Sequence, residues 1–213
     1  SPTQYGSTVA IGNIVVSPSE FMPRLFAENG RLLDSQGRIT LDTPEALRAL
    51  ENYRETYSYS DRTIYDFWKN DLEGFADGTA AMPVVFINYA SHILNSQMSR
   101  IAGKLGFAPV PGGKPLLGGG VIGITQSCTC PAAACKFLEW LYADLVAPVF
   151  TMLGGLSPCR SAYSNRDISE QYPWLSTARK SFPTAQRRSN STYYQNFSEL
   201  QLETILAAHV QQA

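Results

Sequence analysis

The chain has 213 residues, 44% hydrophobic and 16% charged, a composition that can bury a substantial core and is unlike that of a disordered segment. Seventeen basic and eighteen acidic residues give a formal charge of −1 with no basic stripe (Arg187-Arg188 sits in a polar Ser/Asn loop), which argues against a nucleic-acid partner. No apolar run reaches the roughly 18 residues a membrane-spanning helix needs, and the length suits one large domain or two small ones.

The chain opens at Ser1-Pro2 without a charged leader or apolar h-region, as expected of a processed or truncated product. Residues 3–16 carry Val9, Ile11, Ile14 and Val15 among small residues and predict a strand or buried segment. Ser17-Pro18-Ser19 signals a helix start with Glu20 in its first turn. Phe21, Leu25 and Phe26 follow at helical spacing, and Asn29-Gly30 predicts the stop. Leu32–Leu41 reads as a short hairpin around Gln36-Gly37. Thr43 is then the expected N-cap and Pro44 the first residue of a helix with Ala46, Leu47, Leu50 and Tyr53 inward.

Beyond a polar loop at 57–62, Ile64–Ala76 predicts a helix with Phe67, Trp68, Leu72 and Phe75 on its apolar side, stopped by Asp77-Gly78. Ala80–Val85 reads as a buried strand, and a helix follows from Ala90 to about Ser99. Leu105–Ser127 passes from a proline-interrupted extended segment through Gly112-Gly113 and Gly118-Gly119-Gly120 into Val121-Ile122-Gly123-Ile124. That order suits a crossing between sheets at a binding cleft, and it equally suits a surface hairpin. Ala132–Met152 is the longest helical pattern, with Cys135, Leu138, Leu141, Tyr142 and Leu145 on one face and Pro148 expected to kink or interrupt it. Ser157–Tyr163 reads as a loop, Ile168–Ser181 as containing a short helix, and Phe197–Val210 as a closing helix with Leu200, Ile205 and Leu206 inward. Helices and short strands alternate, so the fold class is α/β.

Four cysteines, Cys128, Cys130, Cys135 and Cys159, leave three readings open. C-x-C-x4-C lacks the paired spacing of zinc ribbons, and neither His92 nor His209 lies near it in sequence, so the fit to a metal is loose. A disulfide from Cys159 to one of the other three suits an exported protein, and buried thiols suit either compartment. There is no nucleophile elbow, zinc-protease helix, P-loop or dinucleotide fingerprint, and no catalytic constellation is readable; the chain is read as a non-enzyme with no cofactor. Aromatic residues do stand beside turns: Phe21, Phe86 and Tyr89 flanking Asn88, and Tyr193-Tyr194. Rings for C–H faces and polar groups for hydroxyls suit a sugar, although such rings also fill cores.

Several stretches together resemble the family 1 extracellular solute-binding proteins of ABC importers, the sugar-binding, maltose-binding-protein-like group. Phe75–Met82 resembles its F-x-x-G-x-A-A-M passage, and Gly106–Gly113 its G-x-x-P-x-P-G-G segment. Gly119–Ile124 resembles the following G-G-x-x-x-x-I strand, Ala133–Leu141 the A-A-x-x-F-x-x-W-L helix, and Gly154–Arg160 the G-G-x-x-P-x-R loop. Leu33-Asp34, Ile39-Thr40-Leu41 and Pro44-Glu45-Ala46 also fit. The resemblance implies a periplasmic-binding-protein-like (type II) fold, two α/β lobes with ligand between them, and delivery of a sugar or related solute to membrane permease subunits. It implies ligand contacts at Asn88, Tyr89, Gly119, Gly120, Val121, Ser157, Arg160 and Tyr194. Many relatives carry a tryptophan at Val121 and near Asn88, so stacking area is lost here.

Family members are roughly twice as long, and their first lobe comes mainly from residues that would precede Ser1. Residues 3–118 and 161–213 are therefore expected to form the second lobe, and 119–160 a segment of the first with crossover strands. Apolar surface left uncovered in that segment predicts self-association. The implied location is extracytoplasmic, periplasmic or lipid-anchored at the cell surface. A ligand-sensing domain of a larger regulator would keep the same motifs without needing a permease, and a carbohydrate hydrolase would need a catalytic carboxylate that the sequence does not single out.

Overall fold

A computed structural model describes residues 3–9, 11–12, 16–63, 66, 68–188 and 199–212; for 68–70, 167, 199–203 and 211 it describes the backbone alone. Ten α-helices are placed among them. The first five are α1 (Val16–Ala27), α2 (Pro44–Ser58), α3 (Gly74–Ala76), α4 (Ala90–Leu94) and α5 (Pro131–Leu141). The others are α6 (Ala147–Met152), α7 (Ser161–Ser164), α8 (Arg166–Gln171), α9 (Pro173–Ser181) and α10 (Glu199–Gln212).

Helix α1 ends as its sequence asks. Asn29 takes a left-handed φ of 63°, its N–H reaches the Phe26 carbonyl at 3.0 Å, and the Gly30 N–H reaches the Leu25 carbonyl at 2.9 Å. Those two bonds close a Schellman motif. The hairpin at 32–41 forms as an antiparallel bridge between Leu33 and Ile39, with Gly37 at φ 77°. Helix α2 starts with Pro44 in its first turn, and Thr43 Oγ1 accepts from the Ala46 N–H at 3.3 Å. Its buried stripe is Ala46, Ala49 and Tyr53; Leu47, expected inward, is exposed because it lies about 100° around the helix from Ala46.

The stretch expected as one helix over 64–76 is a π-helical turn, Trp68–Glu73, running into α3. Leu72 and Phe75 are buried as expected, whereas Ile64, Tyr65 and Phe67 lie outside the described residues. Gly78, at φ 79°, terminates the segment. The expected β-structure is reduced to backbone pairing of 4–8 with 79–82, centred on a parallel bridge between Tyr5 and Ala80. A second parallel bridge joins Leu116 to Gln186. Helix α4 is shorter than expected, because Asn95 Oδ1 accepts the Gln97 N–H at 3.0 Å and turns the chain.

The long helix expected over 132–152 is two helices, α5 and α6, with Pro148 in the first turn of α6. A proline has no N–H to donate and fits a helix start better than its interior. One consequence is that Leu145, expected on an inner face, is 89% exposed. In the closing helix Leu206, Ala207 and Val210 face the core, and Ile205, expected inward, is exposed.

Three apolar cores hold the chain. One joins α1, α2 and α10 through Val9, Phe21, Met22, Leu25, Phe26, Ala46, Tyr53 and Leu206. A second gathers Ala90, Ala147, Ala162, Tyr163, Trp174, Leu175 and Ala178, so α6 is pinned to α4, α7 and α9. A small third core, Leu72, Phe75 and Ile93, lies beneath Tyr89.

Candidate functional site

Three stretches of chain meet around Asn88. The first is the 3-10 turn Ile87–Tyr89, which presents Asn88 to solvent and leaves Tyr89 half-buried against the third core. The second is the foot of the glycine loop, where Phe86 Cε1 stands 3.8 Å from the Cβ position of Gly118. The third is Gly154-Gly155. Gly154, at φ 97°, lies so close to Ser91 that any Cβ would overlap the serine side chain, and its Cβ position is 3.8 Å from the Asn88 carbonyl oxygen. Gly155 packs as tightly on the Phe150 ring. Only glycine fits where a left-handed backbone meets a neighbour this closely.

Past that contact the chain dives inward. Ser157 is 3% exposed, and each of its polar groups has a fixed partner. Its N–H reaches Thr151 Oγ1 at 3.4 Å, its Oγ accepts the Cys159 N–H at 3.1 Å, and its carbonyl accepts the Tyr163 hydroxyl at 2.9 Å. Burial raises the Tyr163 phenol above its ordinary pKa, so it stays a donor across the neutral range. Arg160 caps the start of α7, exposed, with its carbonyl accepting from Ser164 Oγ at 2.9 Å.

The remaining sequence candidates are distributed differently. Gly119 and Gly120 have nothing within 4 Å of their Cβ positions, and Val121 is 98% exposed. They project from the site rather than pack on it. Tyr194 lies outside the described residues. Thus Asn88 and Tyr89 are brought to the Gly154–Ser157 loop, and the three loop-tip residues are not. Ser91, Phe150 and Gly154 were missed as site residues, because within the G-G-x-x-P-x-R loop only Ser157 and Arg160 were singled out, and nothing in the sequence brings Ser91 or Phe150 to it. Phe86 was visible as an aromatic beside a turn.

The electrostatics of these stretches are uniform. Residues 80–91, 115–135 and 145–159 contain no Asp, Glu, Lys or Arg, and the only histidine of the neighbourhood, His92, lies just beyond the first. Stretches with no fixed charge suit a neutral ligand whose hydroxyls are met by amide, hydroxyl and backbone groups, and Arg160, just beyond the third stretch, is the one charged member of the candidate set. Among the described residues no group of three or more His, Cys, Asp or Glu is placed to hold a metal. No helix among them is long and apolar enough to cross a membrane. An open concavity of about 330 Å³ between α8 and α9, lined by Ser164, Arg166, Ser169, Glu170, Ser176 and Arg179, shares no residue with the Asn88 site.

Solved structures with the same chain path are found over 98% of the sequence. Maltose-bound MalE3 of T. maritima superposes with a TM-score of 0.80 at 24% identity, the chain covering 55% of it. The fold is that of a solute-binding protein. An ABC transporter solute-binding protein of Agrobacterium radiobacter K84 in complex with ribitol matches with TM-score 0.73 at 22% identity, over 98% of this chain and 54% of that one. Another, from Thermotoga lettingae TMO and bound with α-D-tagatose, matches with TM-score 0.67 at 22% identity, over 98% and 59%. The chain therefore spans little more than half the length of these proteins. No family model matches it.

Proposed function

We propose that the chain is the substrate-binding component of an ABC importer, or a part of one, and that it takes a sugar or polyol. The observation that carries this reading is the meeting of three chain stretches without acidic or basic side chains at Asn88, on a solute-binding-protein fold. Asn88 supplies an amide to ligand hydroxyls, and Tyr89 and Phe86 supply ring faces. Gly119, Gly120 and Val121 contact ligand only when the glycine loop is pressed toward it by a covering lobe; Ser157, Arg160 and Tyr194 complete the candidate set. The maltose, ribitol and tagatose held by the three neighbours support a neutral polyhydroxylated ligand. Delivery to permease subunits and an extracytoplasmic location follow from the same reading.

Residues 3–118 and 161–213 make up the second lobe in this proposal, and 119–160 the segment that crosses to the first. Eleven of the eighteen large apolar side chains exposed among the described residues fall between Leu117 and Leu156, which supports a covered face there. Phe137 and Trp140, rings 5.8 Å apart on α5, are two of them. Without a cover, that face drives self-association.

Thermal unfolding of the chain against maltose, ribitol and tagatose, with size-exclusion chromatography of the same sample, tests the reading. Binding at a hundredfold excess over Kd stabilises by about 2.7 kcal/mol, and Asn88→Ala abolishes the shift. A folded wild-type sample whose unfolding none of the three moves would sink the idea that this chain binds such a ligand unaided.

A further inference from the structure

The concavity between α8 and α9 has no part in the ligand reading above and does not depend on it. Both helices are held from below by the second core. Trp174, Leu175 and Ala178 of α9 are buried in that core, and Ile168 of α8 packs against it. The outer ridges of the two helices therefore stand on a fixed base and border an open space of about 330 Å³, enough for a small molecule. The α8 ridge carries Arg166, Ser169 and Glu170, and the α9 ridge carries Ser176 and Arg179, three residues apart and so on one face. Ser164, at the end of α7, completes the lining. Every described residue that lines the space is polar.

Their hydrogen bonds sort these groups into donors and acceptors. Arg166 Nε donates to Glu170 Oε1 at 2.9 Å, so those two side chains are engaged with each other. The Ser164 hydroxyl donates to the Arg160 carbonyl and the Ser169 hydroxyl to the Asn165 carbonyl, each at 2.9 Å. Each of these serines has given up its single hydrogen and keeps lone pairs that accept. Ser176 and Arg179 are the reverse. Among the described residues neither side chain makes a hydrogen bond or an ion pair, which leaves a hydroxyl hydrogen and a whole guanidinium fork as unused donors one helical turn apart.

We propose that this concavity is a second binding site, for a small hydroxylated oxyanion: a hydroxy acid or a polyol phosphate. The Arg179 fork takes two oxygens of the carboxylate or phosphate side by side, a geometry that a planar guanidinium favours, and the Ser176 hydroxyl adds a further donor. The Ser164 and Ser169 oxygens accept from the ligand's hydroxyls. The site thus selects by charge, whereas the stretches that meet at Asn88 carry none.

Proton–nitrogen NMR of the labelled chain, titrated separately with glycerate, glycerol phosphate, glycerol and inorganic phosphate, tests this. Glycerate, glycerol phosphate or both are expected to shift the Arg179 Nε–H and the Ser169 and Ser176 amides while Asn88 stays in place; which of the two binds tells a carboxylate site from a phosphate site. Glycerol, without the charge, and inorganic phosphate, without the hydroxylated carbon chain, are expected to bind more weakly. Arg179 is exposed, so Arg179→Ala should keep the wild-type amide spectrum and weaken binding by about ten-fold. Arg179→Lys, which keeps the charge and loses the fork, should fall between the two. Neither oxyanion moving these signals at millimolar concentration overturns the site. So does an Arg179→Ala chain with wild-type affinity, or an oxyanion that moves Asn88 instead, since either places the ligand elsewhere. Glycerol binding as tightly as the oxyanions, or inorganic phosphate as tightly as glycerol phosphate, overturns the assigned ligand class.

Discussion

The Tyr163 hydroxyl donates to the Ser157 carbonyl at 2.9 Å, and through that bond α7 holds the loop that lies on the Asn88 turn. Tyr163 is buried in the second core and meets Phe182 edge-on at 5.1 Å, so its ring stays in place when the hydroxyl is removed. Tyr163→Phe leaves the buried Ser157 carbonyl without that donor and is expected to cost about 1 kcal/mol. Urea denaturation of the two proteins measures it. Burial also raises this phenol, so above pH 10 the unfolded chain ionises first and wild-type stability falls as pH rises; Tyr163→Phe loses its share of that fall.

Gly154 cannot carry a side chain where it sits. Its φ of 97° is strained for any L-residue, and the new Cβ would overlap Ser91. Gly154→Ala is expected to cost about 2–3 kcal/mol from backbone strain and displacement. Ser91→Gly/Gly154→Ala, which removes the overlap and leaves the strain, should recover part of that loss. A thermal melt showing equal stability for all the variants would mean the loop does not rest on the α4 start.

Thr43 caps α2, and the first core depends on α2 being formed. Thr43→Ala removes the acceptor of the Ala46 N–H and is expected to lower stability by about 1 kcal/mol, whereas Thr43→Asp should be nearly neutral. Circular dichroism during thermal unfolding distinguishes the two.

The α5 face makes an opposite kind of prediction. Phe137 and Trp140 are each more than half exposed, so Trp140→Gln in the isolated chain should change stability by less than about 0.5 kcal/mol. It should lower the apparent mass in concentrated solution by weakening apolar association. Light scattering coupled to size exclusion reads this, and a large loss of stability instead would place Trp140 inside a core.

How much of this was legible in advance depends on the range of the interaction involved. Thr43-Pro44, Asn29-Gly30, the Gln36-Gly37 hairpin and the Gly78 stop were readable because caps and turns are decided within four or five residues by φ preference and local hydrogen bonding. The α/β class and the solute-binding fold were readable because the motifs recur in order along the chain. Which side of a helix faces inward was less secure. Leu47, Leu145 and Ile205 all have apolar side chains that suit a core, but they face solvent, because burial depends on which neighbour arrives.

By itself, then, the sequence determined where the chain turns, where helices start and stop, and that the stretches around Asn88 carry no fixed charge. Only the tertiary structure decided that Gly154 rests on Ser91 and that Asp71 is sealed in beside Thr8, Glu20 and Arg24. Those contacts join residues as far apart as Asp71 and Thr8, or Gly154 and Ser91. Their existence depends on packing between elements distant in the chain, for which no local propensity leaves a mark.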